Sequence, residues 1–456
     1  MARRRFAGAP GARLRDRAAP GSPASRSADA TWPAIGLRGV PMGRGFSLLA
    51  WTCALSGAVA LNVAAQPAEE TSLPLTASRV IELASTCSPE ARIAAARVEE
   101  ARGRLTSARV FSQENPVLEA LSGRSWRGPA GSTELELAVP LGYGLGRAYR
   151  VQEATATVER ETLHAADARR LLAGRALASF YRVLHAEMQL GIAEEGRRLA
   201  GEQRRIAEEK VEAGDAARLE LLVAETEVSR GESAAESAAG ELALAQLELA
   251  AVLGMPSSQG LRTTGDLADR SRFDAIAADG RTAGERERAD LRAARADLAA
   301  AAASLKQARA AWIPGIALRL SYGEDQEEST LRPGLAVSLP IFDQRRGERQ
   351  QALARRLRAQ IELEARRALA AVELEGAQAA YRRAAAAASE IEVTALPRAL
   401  ETEALALAGY EAGKFDLPAL LIVRRNALET RREQADRLLS AALAGVDLAV
   451  AAGALP

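Results

Sequence analysis

"YEAGKFDLPALL", residues Tyr410–Leu421, echoes "VEAGDAARLELL", residues Val211–Leu222, about two hundred positions earlier. Both carry an Ala-Gly pair followed by a Leu-Leu pair. If the echo belongs to a larger duplication, other landmarks must recur at the same offset. They do: Ser107-Ala108-Arg109 answers Gln307-Ala308-Arg309, Pro116 answers Pro314, Pro140 answers Pro340, Tyr181 answers Tyr381 and Gly214 answers Gly413, all at offsets of 198 to 200. Ordered matches at nearly constant spacing are the signature of an internal repeat. The expected organisation is a first repeat over 66–255, a linker over 256–284 containing Gly, Ser and Asp, and a second repeat over 285–456.

Each copy has the same grammar. It opens with a helix, "SPEARIAAARVEEARGRLTSAR" from Ser88, where Ser88 suits the N-cap and Pro89 the first helical position, and "ERADLRAARADLAAAAASLKQAR" in copy two. The period then changes to two. Leu135, Leu137, Val139 and Leu141 alternate with polar or small residues, as do Ile316, Leu318, Leu320 and Tyr322, which predicts strands, two per copy. A long helical stretch follows, from about Arg147 to Gly214 and from about Arg349 to Gly413, and another helix follows each Ala-Gly phrase. At 1.5 Å per residue such a stretch reaches about 100 Å, more than a globular core requires. Thin apolar stripes such as Leu357, Ile361, Ala365, Ala368 and Val372, flanked by Glu362 and Arg366, fit either a coiled coil or a closely packed helical tube. The expected class is mainly α with a small β part, in a duplicated helix-strand-strand-helix-helix unit.

The bulk numbers agree. Aromatic residues are only 4% of 456, and 60 basic against 59 acidic side chains leave no electrostatic footprint for nucleic acid. Cys53 and Cys87 cannot form a disulfide framework. "MGRGFSLLAWTCALSGAVALNVAA", Met42–Ala65, has a short basic flank, an apolar run and a small-residue end, and reads as a secretory signal peptide. Residues 1–41 are expected to be disordered or a mis-assigned leader, with Met42 a plausible start and the mature chain beginning near Gln66. Neither cysteine has lipoprotein context, so no lipid anchor is expected.

An exported chain without a further apolar stretch of some twenty residues cannot cross a bilayer as a helix. It can cross as a barrel, since about ten alternating residues suffice per strand, but four strands are fewer than the eight with which single-chain barrels begin. Transmembrane strands would therefore have to be pooled between chains. Alternation alone also fits a soluble, half-buried sheet.

Over Thr76–Gly453 the chain resembles the TolC-like outer membrane efflux proteins. The resemblance rests on the doubled unit, "ENPVLEAL" (114–121), "LPIFDQRRGERQQALA" (339–354), the two Tyr positions and the two Ala-Gly phrases with their Leu pairs. "ENPVLEA" and "LPIFDQRRGE" are similar to the subgroup serving cobalt-zinc-cadmium exporters (CzcC-type). The resemblance implies a homotrimer with a trimeric α-helical barrel as periplasmic tunnel and a pooled 12-stranded transmembrane β-barrel in outer membrane lipid. It also implies as partners a periplasmic adaptor (membrane fusion) protein and an inner-membrane RND-type pump.

By the same resemblance the two Ala-Gly phrases are turns at the periplasmic tip that dock the adaptor. Gly214 and Gly413 would end and reverse the helices, and Leu221-Leu222 and Leu420-Leu421 would start the return helices on their buried face. Tyr410, Glu220 and Phe415 become gate candidates. Phe415 stands where a basic residue can sit, and Ala419 and Ile422 where an acidic ring can occur, so the family's ionic latch is not carried over.

No enzyme chemistry is legible. "GYGLGR" (142–147) follows a strand and opens a helix, but its third Gly comes one residue early for a dinucleotide fingerprint. His164 and His185 lack partners at ligand spacing, so no cofactor and no resident metal are expected. The leading expectation is a passive exit duct for efflux, with divalent heavy-metal cations as cargo. Alternatives are a multidrug duct, a type I secretion channel and, from another class, a soluble periplasmic coiled-coil protein.

Overall fold

The structure, a computed structural model, describes residues 74–112, 114–124, 131–141, 144–256, 261–279, 288–311, 315–325, 328–339 and 341–455. The expected leader, signal peptide and Cys53 lie outside the described residues, as do Gly142, Pro314 and Pro340.

The first repeat begins with α1 (Ala77–Cys87), capped by Thr76, and α2 (Pro89–Arg109). The Ser88 hydroxyl accepts the Ala91 N–H at 3.2 Å and Pro89 sits in the first turn, as the sequence predicts. Strands β1 (Val117–Arg124) and β2 (Gly131–Leu141) lead to α3 (Gly144–Glu212), whose 69 residues span about 100 Å, and then to α4 (Arg218–Leu253). After α5 (Ser271–Ala278), the second repeat runs through α6 (Ala289–Ala310), β3 (Gly315–Asp325), β4 (Glu328–Ser338), α7 (Arg346–Glu390), a π turn (Ile391–Ala395), α8 (Leu396–Glu411) and α9 (Leu417–Ala451).

The four strands form one antiparallel sheet in the order β1-β2-β3-β4. Its centre is the join between repeats, where the two predicted alternating files meet pair by pair: Leu135 faces Tyr322, Leu137 faces Leu320, Val139 faces Leu318 and Leu141 faces Ile316. The prolines sit where the ladder tolerates a missing N–H. Pro140 lies beyond the last β1–β2 pair, Val117–Ala138, and Pro333 lies on the edge strand β4.

Helix α3 is the spine, packing on α2, α4, α6 and α9. Alanines at the seams allow close approach; on α6 the buried face is Ala293, Ala296, Ala300 and Ala303. The main core draws on both repeats and is centred on an aromatic run: Phe180 meets Tyr181 at 5.6 Å, Tyr181 meets Phe273 at 5.9 Å and Phe273 meets Tyr381 at 6.1 Å. The equivalent tyrosines of the two repeats thus close on one phenylalanine from the segment between them. That segment is more than a linker. Thr263 pairs with Leu75, and Leu261, Leu267 and Phe273 are buried, because each repeat alone leaves this ring-sized gap over Gly445.

Two further features have physical causes. The second long helix is interrupted by the π turn, where the Leu396 N–H reaches back to the Ile391 carbonyl; Pro397, which has no N–H and crowds the preceding turn, follows immediately. And the stripe Leu357, Ile361, Val372 faces outward, with Leu357 58% exposed, while α7 packs within the chain through Ala352, Ala359, Leu363, Ala370 and Leu374. A helix with two apolar stripes has one left over for a neighbour.

Candidate functional site

The doubled phrase forms two turns with the same hydrogen bonds. In the first, the Gly214 N–H donates to the Val211 carbonyl (3.1 Å) and the Asp215 N–H to the Lys210 carbonyl (2.9 Å); in the second, the Gly413 N–H donates to Tyr410 (3.0 Å) and the Lys414 N–H to Gly409 (2.8 Å). Both are Schellman motifs, which need a left-handed residue just past the helix; Gly214 has φ +82° and Gly413 φ +70°. The copies differ in how the return helix starts. The Asp416 side chain accepts the Ala419 N–H, whereas Ala217 offers no side-chain cap.

The turns pack on each other. Ala207 and Ala224 from the first and Ala406, Tyr410, Leu417, Leu420 and Leu421 from the second form one buried cluster. Tyr410 is 4% exposed, and the ammonium of Lys210 stands over its ring. Leu221 is half-buried against this cluster, but Leu222 is 50% exposed, contrary to expectation. Successive helical residues point about 100° apart, and on α4 only Leu221 meets the facing turn. Glu220 lies in the first turn of α4, where the helix dipole favours a carboxylate. Phe415 is half-exposed and its ring covers Gly409, where a Cβ would collide with it.

Above the turns, charged residues tie the helices. Arg425 of α9 pairs with Glu227 of α4, and Arg431 of α9 with Glu195 of α3. Arg424 is buried, with Glu403 of α8 at 4.0 Å; burial lowers its pKa, and Glu403 opposes that. Both histidines bridge helices: His164 is 2.9 Å from Asp297, and His185 is 2.8 Å from Asp436. The hydrogen bond to Asp297 is the main cause of a raised His164 pKa. Among the described residues no group of three His, Cys, Asp or Glu is placed to hold a metal ion. Sequence reasoning missed Lys210, Glu403 and Arg424, because their partners come from other helices and leave no periodic trace.

At the other end of α3 the sheet is one-sided. Directly paired residues share a face, so Leu118, Leu137, Leu320 and Pro333 line up across all four strands, as do Val139, Leu318 and Leu335. Those leucines are exposed or half-exposed. The reverse face is mainly polar, with Glu119, Glu134, Glu136, Arg319, Ser321 and Arg332 and an Arg319–Glu136 pair at 3.1 Å, and on the edge strand it also carries Val117 and Leu121. Among the described residues no helix is long and apolar enough to cross a membrane. An apolar face backed by a polar one is the side-chain pattern of strands in a membrane barrel.

Paired helical turns at one end and a small apolar-faced sheet at the other define the class: a mainly α-helical chain with the fold of the outer membrane channels named below. Residues 285–454, the second repeat, match the family model described as outer membrane efflux protein. Members of that family are passive channels of the outer membrane, not enzymes. The cobalt-zinc-cadmium resistance protein CzcC of Cupriavidus metallidurans is 26% identical over 366 residues, which are 78% of this chain and 85% of that protein. The same fold is found in CusC (TM-score 0.64, 21% identity, 83% of this chain and 92% of that one). It is found too in the outer membrane protein VceC of Vibrio cholerae (0.65, 18%, 83% and 96%) and in the open-state MtrE channel of Neisseria gonorrhoeae (0.67, 18%, 83% and 88%).

Proposed function

We propose that the chain is the exit duct of a tripartite efflux system. It works as a homotrimer, receives cargo from an inner-membrane RND-type pump through a periplasmic adaptor, and conducts it passively to the outside. One observation carries the reading. The sheet has four strands, two open edges at β1 and β4, and one continuous apolar face. Four strands cannot close a barrel in lipid and open edges are not tolerated there; three copies supply twelve strands and remove every edge. The outward stripe of Leu357, Ile361 and Val372 supplies the matching helix contact between copies. The helices then form a periplasmic tunnel, and the turns at Gly214 and Gly413 dock the adaptor.

The cargo we assign is divalent heavy-metal cations, supported by the similarity to CzcC, whose name is that of a cobalt-zinc-cadmium resistance protein. A deletion strain and its complemented parent are compared for susceptibility to zinc, cobalt, cadmium, nickel and copper beside hydrophobic antibiotics, dyes and detergents. Sensitisation to the metals is expected; sensitisation to the organic compounds alone makes the chain a multidrug duct and removes the metal assignment.

A further inference from the structure

Above the Lys210–Tyr410 contact the chain buries a polar layer whose members do not satisfy one another. Gln203 of α3, Glu403 of α8 and Arg424 of α9 stand seven positions from Lys210, Tyr410 and Leu417, so the three share one level, two helical turns or about 10 Å above the tip cluster. Gln203 is 1% exposed and its Oε1 accepts no hydrogen bond; Arg424 is 7% exposed and its Nε and Nη1 donate none among the described residues. A guanidinium buried in that condition is costly. Glu202 does not relieve it, being taken up by Arg198 at 2.7 Å. Nor does Glu403: one carboxylate oxygen lies 4.0 Å from Arg424 Nε and the other 3.8 Å from Arg431 Nη2, beyond hydrogen-bonding distance of either. Arg431 is meanwhile bonded to Glu195 of α3. Glu403 is therefore shared between two arginines two turns apart on α9 and held by neither. Helix α8 is the element able to move, because the π turn and Pro397 interrupt its backbone bonding to α7 and it packs mainly on α9. A shift of about 1 Å toward the turns closes Glu403 on Arg424, and packed helices make shifts of this size between two states. Tyr410 lies two turns further along the same face of α8, so the shift that serves Arg424 also displaces the Tyr410 ring from Lys210.

We propose that Glu403 is a gate-positioning residue that switches between two arginines: bonded to Arg424 it holds α8 and the Gly413 turn in the conducting arrangement, and unbonded to Arg424, as here, it leaves them closed. The proposal rests on the reading of the chain as a gated duct, and its test separates the two. Wild type and the full-chain variants Arg424→Gln, Glu403→Gln and Arg431→Gln are compared in planar bilayers for the open-to-closed ratio and in detergent for the thermal midpoint. Arg424→Gln and Glu403→Gln each remove one side of the bond and should lower the ratio about fivefold, and the double variant should lower it no further than either alone. Arg431→Gln frees Glu403 for Arg424 and should raise the ratio. Removing an unsatisfied buried charge should also leave the midpoint of Arg424→Gln unchanged or higher. Ratios that move in the same direction for both arginines, or do not move, overturn the switch and leave the duct standing. A lowered midpoint with an unmoved ratio makes Arg424 a structural residue and overturns the proposal. Should Arg424→Gln fail to assemble, Glu403→Gln decides alone, an unchanged ratio overturning the switch. A wild type that passes no current overturns the duct reading and the gate role with it.

Discussion

The ammonium of Lys210 lies 4.0 Å from the centre of the Tyr410 ring, joining the last turn of α3 to the last turn of α8. Each residue stands three or four positions before its turn glycine. A half-exposed cation–π pair is worth about 1 kcal/mol. If Tyr410 acts at a gate and this contact belongs to its closed state, Lys210→Gln raises the open-to-closed ratio about fivefold in single-channel recordings. An unchanged ratio would assign the contact to stability alone.

Substitutions of the two turn glycines probe the backbone and not packing, since a Cβ on either meets nothing within 4 Å. Gly214→Ala and Gly413→Ala should each cost about 1–2 kcal/mol through the left-handed φ, read as a lower thermal midpoint. Under the proposed docking role, Gly413→Trp also abolishes adaptor crosslinking and efflux. Intact crosslinking and efflux would falsify that role.

Phe273 should be the most costly single truncation. It is 1% exposed, sits between Tyr181 and Tyr381, and covers Gly445 so closely that a Cβ there would collide with the ring. Phe273→Ala is expected to lose about 3–5 kcal/mol, measured by denaturant titration in detergent. A loss below 1 kcal/mol would show that the inter-repeat segment is a passive tether.

The α3–α6 contact should respond to pH through His164. Its pKa is raised in the folded chain, chiefly by the hydrogen bond to Asp297, so the stabilisation is complete below the ordinary value of 6.5 and is lost as pH rises through the higher folded-state value. Wild type should lose thermal stability across that window, while His164→Gln should show a flatter profile. Identical slopes would remove the pair from the account.

How much of this was legible in the sequence depends on range. The duplication, the paired strands and the Ser88 cap are local or periodic, so residue types alone indicate them. The central pairing of Leu135 to Leu141 with Tyr322 to Ile316 follows once both files are recognised. Lys210 over Tyr410 was hidden by two hundred residues of separation, and the packing of Phe273 by a polar-looking segment. The exposure of Leu222 departs from expectation because apolar periodicity reports that a face will be covered, not by which chain. Pro397 was in plain view, but a proline in a helix does not reveal whether the chain breaks, kinks or, as here, accommodates it with a π turn.

That π turn has a consequence for symmetry. It occurs in one repeat only, and the span from Tyr381 to Gly413 is one residue shorter than that from Tyr181 to Gly214. The duplicated unit suggests a sixfold rim when three chains assemble, yet a long regular arm would alternate with a shorter one that is locally underwound by its π turn. A ring-shaped partner must then either carry the same alternation in its own subunits or grip every second turn, so occupancy at such a rim counts in threes.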